Sequence, residues 1–141
     1  EAGPGEATVP EALLSTNDGE QQPGAPGTRC WGGMCVDMIG VIAPEEALIV
    51  STDEAMTFTL TAGDPTSVHL RVLEWQPSDF EGSPGTVVIA PDAPVAASGD
   101  LATARTIEWQ VPSEPGEYAL ALFTAYEQGG DIAYGWHIVV E

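Results

Sequence analysis

With 141 residues, 43% of them hydrophobic, the chain is long enough for one domain with a real core and too short for two ordinary ones. Asp and Glu number 22 against 3 arginines and no lysine. The resulting formal charge of -19 repels nucleic-acid phosphates and anionic headgroups, so neither a nucleic-acid partner nor membrane insertion is expected. The missing lysines also exclude a Schiff base, a Ser-Lys dyad and a lysine-based isopeptide crosslink. Self-repulsion of this size is relieved by salt or divalent cations, because surface charges are screened over about 8 Å at physiological ionic strength. A salty or extracellular setting accounts for the charge, and so does a coding bias against lysine. No apolar run approaches the roughly 20 residues that span a bilayer. The start at Glu1, with no Met and no apolar leader, predicts a processed or excised segment.

Residues 1–28, rich in Gly, Pro and Glu, read as a linker, stalk or docking segment. One island within them, "TVPEALL", carries Val9, Leu13 and Leu14, enough apolar surface to dock elsewhere or to be donated as a strand to a neighbouring subunit. Residues 29–141 read as one β-sandwich domain. In "AMTFTLTAG" the apolar Met56, Phe58 and Leu60 alternate with threonines, the period-two mark of a half-buried strand. "SVHLRVLEW" places Val68, Leu70 and Val72 on one face and His69, Arg71, Leu73 and Trp75 on the other. "GTVVIAPDAP" gives a short strand ended by prolines, and "RTIEWQVP" turns Ile107, Trp109 and Val111 inward. "PGEYALALFTAY" and "IAYGWHIVV", separated by "EQGGD", predict a long hairpin with Tyr118, Leu120, Leu122, Ile132, Tyr134, Trp136, Ile138 and Val140 on its core face. The only helical hint is a turn in "PEEAL". Short strands at this spacing predict an all-β, immunoglobulin-like antiparallel sandwich of about seven to nine strands, with an extended N-terminal segment. Tyr118, directly after a Pro-Gly turn at the head of the penultimate strand, is placed like the tyrosine corner of such domains.

Both cysteines lie in "RCWGGMCVD". A zinc site needs four ligands and usually a second pair, and the spacing is not that of a redox C-x-x-C. A two-residue hairpin turn at Gly32-Gly33 instead sets Cys30 opposite Cys35 as a non-hydrogen-bonded pair. Such pairs lie about 4.5 Å apart at Cα, inside the disulfide window of roughly 4.4–6.8 Å. A Cys30–Cys35 staple implies an oxidising compartment. The rival is a soft copper(I) site formed by Cys30, Cys35, Met34 and Met38.

"CWGGMCVD" followed by a strand-rich region, and "PGEYALALFTAYEQGGDIAYGWHIVV" at the C-terminus, resemble the immunoglobulin-like modules of bacterial secreted proteins and lipoproteins. The resemblance covers residues 29–141. It implies export and a β-sandwich, and it brings no catalytic residue with it.

The remaining candidates are few. His69 and His137 sit on separate strands and could meet. The serines lie in turns without a nucleophile elbow, so no enzyme is expected. Hard oxygen ligands in the turns "NDGE" and "QGGD" make Asp18, Glu20 and Asp131 weak calcium candidates, calcium being the only ion the composition favours and no other cofactor being expected. The expected function is a non-catalytic extracellular or cell-surface structural and interaction module. Its partner would be a second copy, in a fibre built by N-terminal strand addition, or another surface protein. The alternative is a monomeric module on a stalk that binds a ligand or an ion, calcium before copper.

Overall fold

The computed structural model describes residues 10–31, 34–36, 40–127 and 129–141. Among them the chain forms thirteen strands and no helix. The first six are β1 (Ala12–Ser15), β2 (Gln21–Pro23), β3 (Ala25–Trp31), β4 (Met34–Val36), β5 (Ile42–Pro44) and β6 (Leu48–Val50). The other seven are β7 (Ala55–Leu60), β8 (Pro65–Glu74), β9 (Thr86–Val88), β10 (Val95–Asp100), β11 (Thr106–Gln110), β12 (Gly116–Tyr126) and β13 (Asp131–Val140).

Two sheets face each other. One has the order β11-β7-β1-β2; the other runs β10-β8-β12-β13-β3-β4, with β6 lying parallel to the end of β13. Alternation along the strands explains why they stack. Met56, Phe58 and Leu60 on β7 and Leu14 on β1 point inward, where they meet Leu70 and Val72 of β8, Leu120 and Leu122 of β12 and Trp136 and Ile138 of β13. Each large apolar side chain removed from water in this way contributes roughly 1.5–3 kcal/mol. The tyrosine corner is present: the Tyr118 hydroxyl donates to the Glu114 carbonyl at 2.9 Å and ties the crossing loop to β12.

A third, smaller layer covers half of the outer face of the longer sheet. The ribbon of β5 and β9 lies over Leu73, Ala119 and Ala25, so Ile42, Val88, Ile89 and Ala93 are buried against the back of the sheet. Small residues make room for it. A Cβ at Gly135 would lie 1.7 Å from the Ile42 carbonyl oxygen, so β5 crosses β13 backbone to backbone.

Three expectations are corrected. The boundary between residues 28 and 29 does not exist, since β3 runs through it and β1 and β2 are strands of the sandwich. Of the expected docking residues, Leu14 is fully buried and Leu13 half-buried within this chain's own fold, and Val9 lies outside the described residues. The physical cause is the alternation of Ala12 and Leu14 with Leu13 and Ser15, which gives the segment one core face and lets it pair with β7. The "PEEAL" stretch is a bend between β5 and β6 rather than a helical turn.

Candidate partner-binding surface

The two lateral sides of the sandwich differ. On the side of β2 and β13 a buried polar network closes the gap between the sheets. Trp136 Nε1 donates to the Gln22 carbonyl at 2.8 Å, and the backbone N–H of His137 donates to Gln22 Oε1 at 3.1 Å. Gln22 Nε2 in turn donates to the Glu46 carbonyl at 2.8 Å. The His137 ring is buried flat against Trp75, with centroids 3.5 Å apart and planes 7° from parallel. Its Nδ1 faces the carbonyls of Pro44 and Glu45 at 3.2 and 2.9 Å, and its Nε2 lies 2.5 Å from Glu117 Oε2. Carbonyls only accept, so Nδ1 is the donor toward Pro44 and Glu45, and Nε2 faces the Glu117 carboxylate. Among the described residues no buried side-chain polar atom lacks a partner.

The opposite side is open. There the sheets end on β10 and β11, each paired on one edge only among the described residues. Toward the core β10 presents Ala97 and Gly99, opposite Val72 and Leu70, and these are too small to cover what lies behind them. The result is a cleft of about 200 Å³ lined by Leu70, Val72, Leu101 and Trp109 and, from β10, by Ala97, Ser98 and Gly99. A Cβ built on Gly99 meets nothing within 4 Å. Trp109, in tilted contact with Phe58 at 5.8 Å, and Leu101 remain half-buried at the mouth. Every residue of β10 is exposed, including Val95 at 47%.

The free edge has a definite register. The N–H of Leu101 donates to Val68 O at 2.8 Å, so Gly99 and Ala97 also turn their backbone groups toward β8. Ser98 and Asp100 therefore turn theirs outward, away from the sheet. On this edge stands the exposed carboxylate of Asp100, and Glu108 is exposed on β11 of the facing sheet. Arg105 is engaged by the Gly63 carbonyl at 2.7 Å and by Asp64 at 3.5 Å, and Arg71, half-buried, stands opposite Ser98 on the outer face.

The other sequence candidates are dispersed or differently employed. Cys30 and Cys35 face each other across β3 and β4 and form a disulfide, Cα to Cα 4.0 Å. That oxidation removes the two thiolates that a copper(I) site would need; Met38, the Met34 side chain and Gly32-Gly33 lie outside the described residues. Asp18 and Glu20 are in the β1–β2 turn, beside Asn17, whose N–H donates to Glu54. Asp131 begins β13 at the other end of the sandwich, where its Oδ1 accepts from Cys30 N at 3.2 Å. Among the described residues no three His, Cys, Asp or Glu side chains gather as metal ligands. The histidines do not meet. His69 pairs across the ladder with Phe123 and His137 with Ala119, four residues further along β12, and each has its own carboxylate: Asp100 at 2.8 Å from His69 Nδ1, Glu117 for His137. Trp75 packs on His137, and Trp31 packs edge-on at 5.2 Å on Tyr126. Sequence reasoning missed Gln22 and all of β10. "VAASGD" has no apolar alternation, and only the pairing partner offered by β8 makes it a strand.

No protein-family model and no curated protein matches the chain. Among solved structures it is similar to the PmoD soluble domain from Methylocystis sp. ATCC 49242 (Rockwell), at 10% identity and a TM-score of 0.49, with 92% of this chain and 89% of that one covered. It is also similar to an LPMO from Kitasatospora papulosa, at 11% identity and a TM-score of 0.45, with 68% of this chain and 51% of that one covered, so it spans about half of that LPMO chain. Likeness at this level carries nothing about chemistry.

Proposed function

We propose that the protein is an exported, non-catalytic interaction module that works by binding another polypeptide on its open side. The observation that carries this reading is the β10 edge, unpaired among the described residues, beside an apolar cleft, since an edge with free N–H and C=O groups is a template for pairing with another chain. Export is supported by the Cys30–Cys35 disulfide, which persists in oxidising compartments. The fibre reading, in which the N-terminal segment is donated to a neighbour, has less support, because Ala12 and Leu14 already fill this chain's own core. The test is selection from a displayed library of random peptides, with the Ser98→Pro variant as the counter-target. Proline there removes an outward N–H and leaves the β8 ladder intact. Enrichment on the unaltered protein that is lost on the variant supports the reading, and enrichment indifferent to the variant contradicts it.

A second reading, a soft-metal module, rests on one observation. Reduction of the disulfide would leave two thiols side by side on a hairpin where Cys30 is half-buried and Cys35 exposed. Titration of the reduced protein with copper(I) against a colorimetric chelator tests it. Stoichiometric binding lost in Cys30→Ser supports this reading, and no competition with the chelator ends it.

A further inference from the structure

We infer that the occupant of the open side is an extended, lysine- or arginine-bearing segment of a different protein, added antiparallel or parallel to β10 with one large apolar side chain in the cleft. This rests on the reading of the open side as the binding surface and adds the chemistry of the partner.

Three observations converge on that occupant. Ser98 and Asp100 offer backbone donors and acceptors along one line, which only another extended backbone can match group for group. The cleft of about 200 Å³ is the size of one large apolar side chain, and its walls of Leu70, Val72, Leu101 and Trp109 carry no charged group, so the anchor is apolar. Side chains of an added strand alternate, and those on the outer face would stand beside Ser98 and the exposed carboxylate of Asp100, which also holds His69 at 2.8 Å. Arg71 is the one cation on that face near the edge, and Arg105 is already held by Gly63 and Asp64.

Charge selects between the two kinds of strand that could fit. A second copy of this chain brings another -19 to the encounter, and like-charged bodies repel before their edges meet. A cationic segment is drawn to the same surface and suffers no such barrier. The preference is electrostatic and so weakens with salt, whereas the strand pairing and the apolar anchor do not.

The experiment is fluorescence anisotropy with two labelled peptides of alternating Thr and Val around a central Leu, one with lysine ends and one with glutamate ends. Each is titrated with the full oxidised chain and with Ser98→Pro, at low and at high salt. The expected result is binding of the lysine peptide at least about tenfold tighter than the glutamate peptide at low salt, a difference that shrinks at high salt, and a loss of about tenfold or more for the lysine peptide on Ser98→Pro. Thermal unfolding and circular dichroism of the variant establish that it folds; if it does not, Ser98→N-methyl-alanine introduced by ligation removes the same N–H. Equal binding of the two peptides, both lost on the variant, overturns the cationic occupant and leaves the open side as the binding surface. Lysine-peptide binding unaffected by the variant overturns strand addition, because charge alone then accounts for it. Self-association at low salt that the variant abolishes overturns the heterologous partner in favour of a second copy, and binding of neither peptide overturns the whole inference.

Discussion

The imidazole of His137 lies face to face with the indole of Trp75, 3.5 Å between centroids and 7° from parallel, at the point where four separate segments meet. β8 supplies Trp75's approach, β12 supplies Glu117, the end of β5 and the bend after it supply one carbonyl each and β2 supplies Gln22. His137 is thus the hub of the closed side. Replacing it with alanine removes a buried stacked ring and leaves the partly buried Pro44 and Glu45 carbonyls without their donor, so His137→Ala is expected to cost roughly 2–3 kcal/mol in urea unfolding. His69→Ala is the internal control. Its contact with Asp100 is largely exposed, and a loss below about 1 kcal/mol is expected. Equal losses at the two positions would contradict the assignment of His137 as the hub.

Alkaline pH probes the core independently. Burial, then the hydrogen bond from Tyr126, raises the pKa of the Tyr134 phenol far above its ordinary 10.0; burial, then the charges of Glu114 and Glu74, raises that of Tyr118. The folded state therefore keeps protons that the unfolded chain releases near pH 10.0. These groups lend their full stability below that value, and it drains away as pH climbs toward the raised folded values, by up to about 1.4 kcal/mol per tyrosine per pH unit. Tyrosinate absorbance followed against pH should show the Tyr134 phenol ionising only together with loss of circular dichroism, with Tyr118 ionising above the ordinary tyrosine range. Full ionisation of all three tyrosines in a folded protein near pH 10 would contradict the burial.

Two glycines test the difference between a crossing and a cleft. Gly135→Ala drives a methyl group into the Ile42 carbonyl, so it should destabilise by roughly 2–3 kcal/mol through displacement of β5. Gly99→Ala puts the same methyl into open space on an ordinary strand backbone and should be neutral or stabilising by up to about 1 kcal/mol. Chemical denaturation of both variants reads the difference, and a Gly99→Ala loss as large as that of Gly135→Ala would mean that the cleft is filled.

Much of this architecture was legible in the sequence because its signals are local. Met56, Phe58 and Leu60 alternate with threonines, the last hairpin keeps one face apolar but for Thr124, and Cys30 and Cys35 stand opposite each other as their spacing implies. The N-terminal third misled for an equally physical reason. Its glycines read as linker, yet Gly24 has a packing role: a Cβ there would lie 2.7 Å from the Trp136 ring, so β2 and β3 approach the indole only without one. The His137 hub was hidden because its partners lie 20, 92, 93 and 115 residues away in sequence. The open side was hidden because "VAASGD" is exposed on both faces and carries no periodicity at all.

The disulfide closes a short loop, so chain entropy assigns it only roughly 2 kcal/mol. Reduction should lower the unfolding free energy read from urea denaturation by about that amount and leave the β-sheet circular dichroism in place, because Trp31 still packs on Tyr126 and β3 still pairs with β13. Global unfolding on reduction at room temperature would show that the staple holds more than its own hairpin.

The most direct measurement is residue-resolved amide hydrogen exchange along β10, with and without the lysine-ended peptide. The account predicts slow exchange at Ala97 and Gly99 throughout, and fast exchange at Ser98 and Asp100 that becomes protected when the peptide is added. Protection of Ser98 and Asp100 in the free protein, or fast exchange at both that the peptide leaves unchanged, would contradict the open side as the surface where this protein meets its partner.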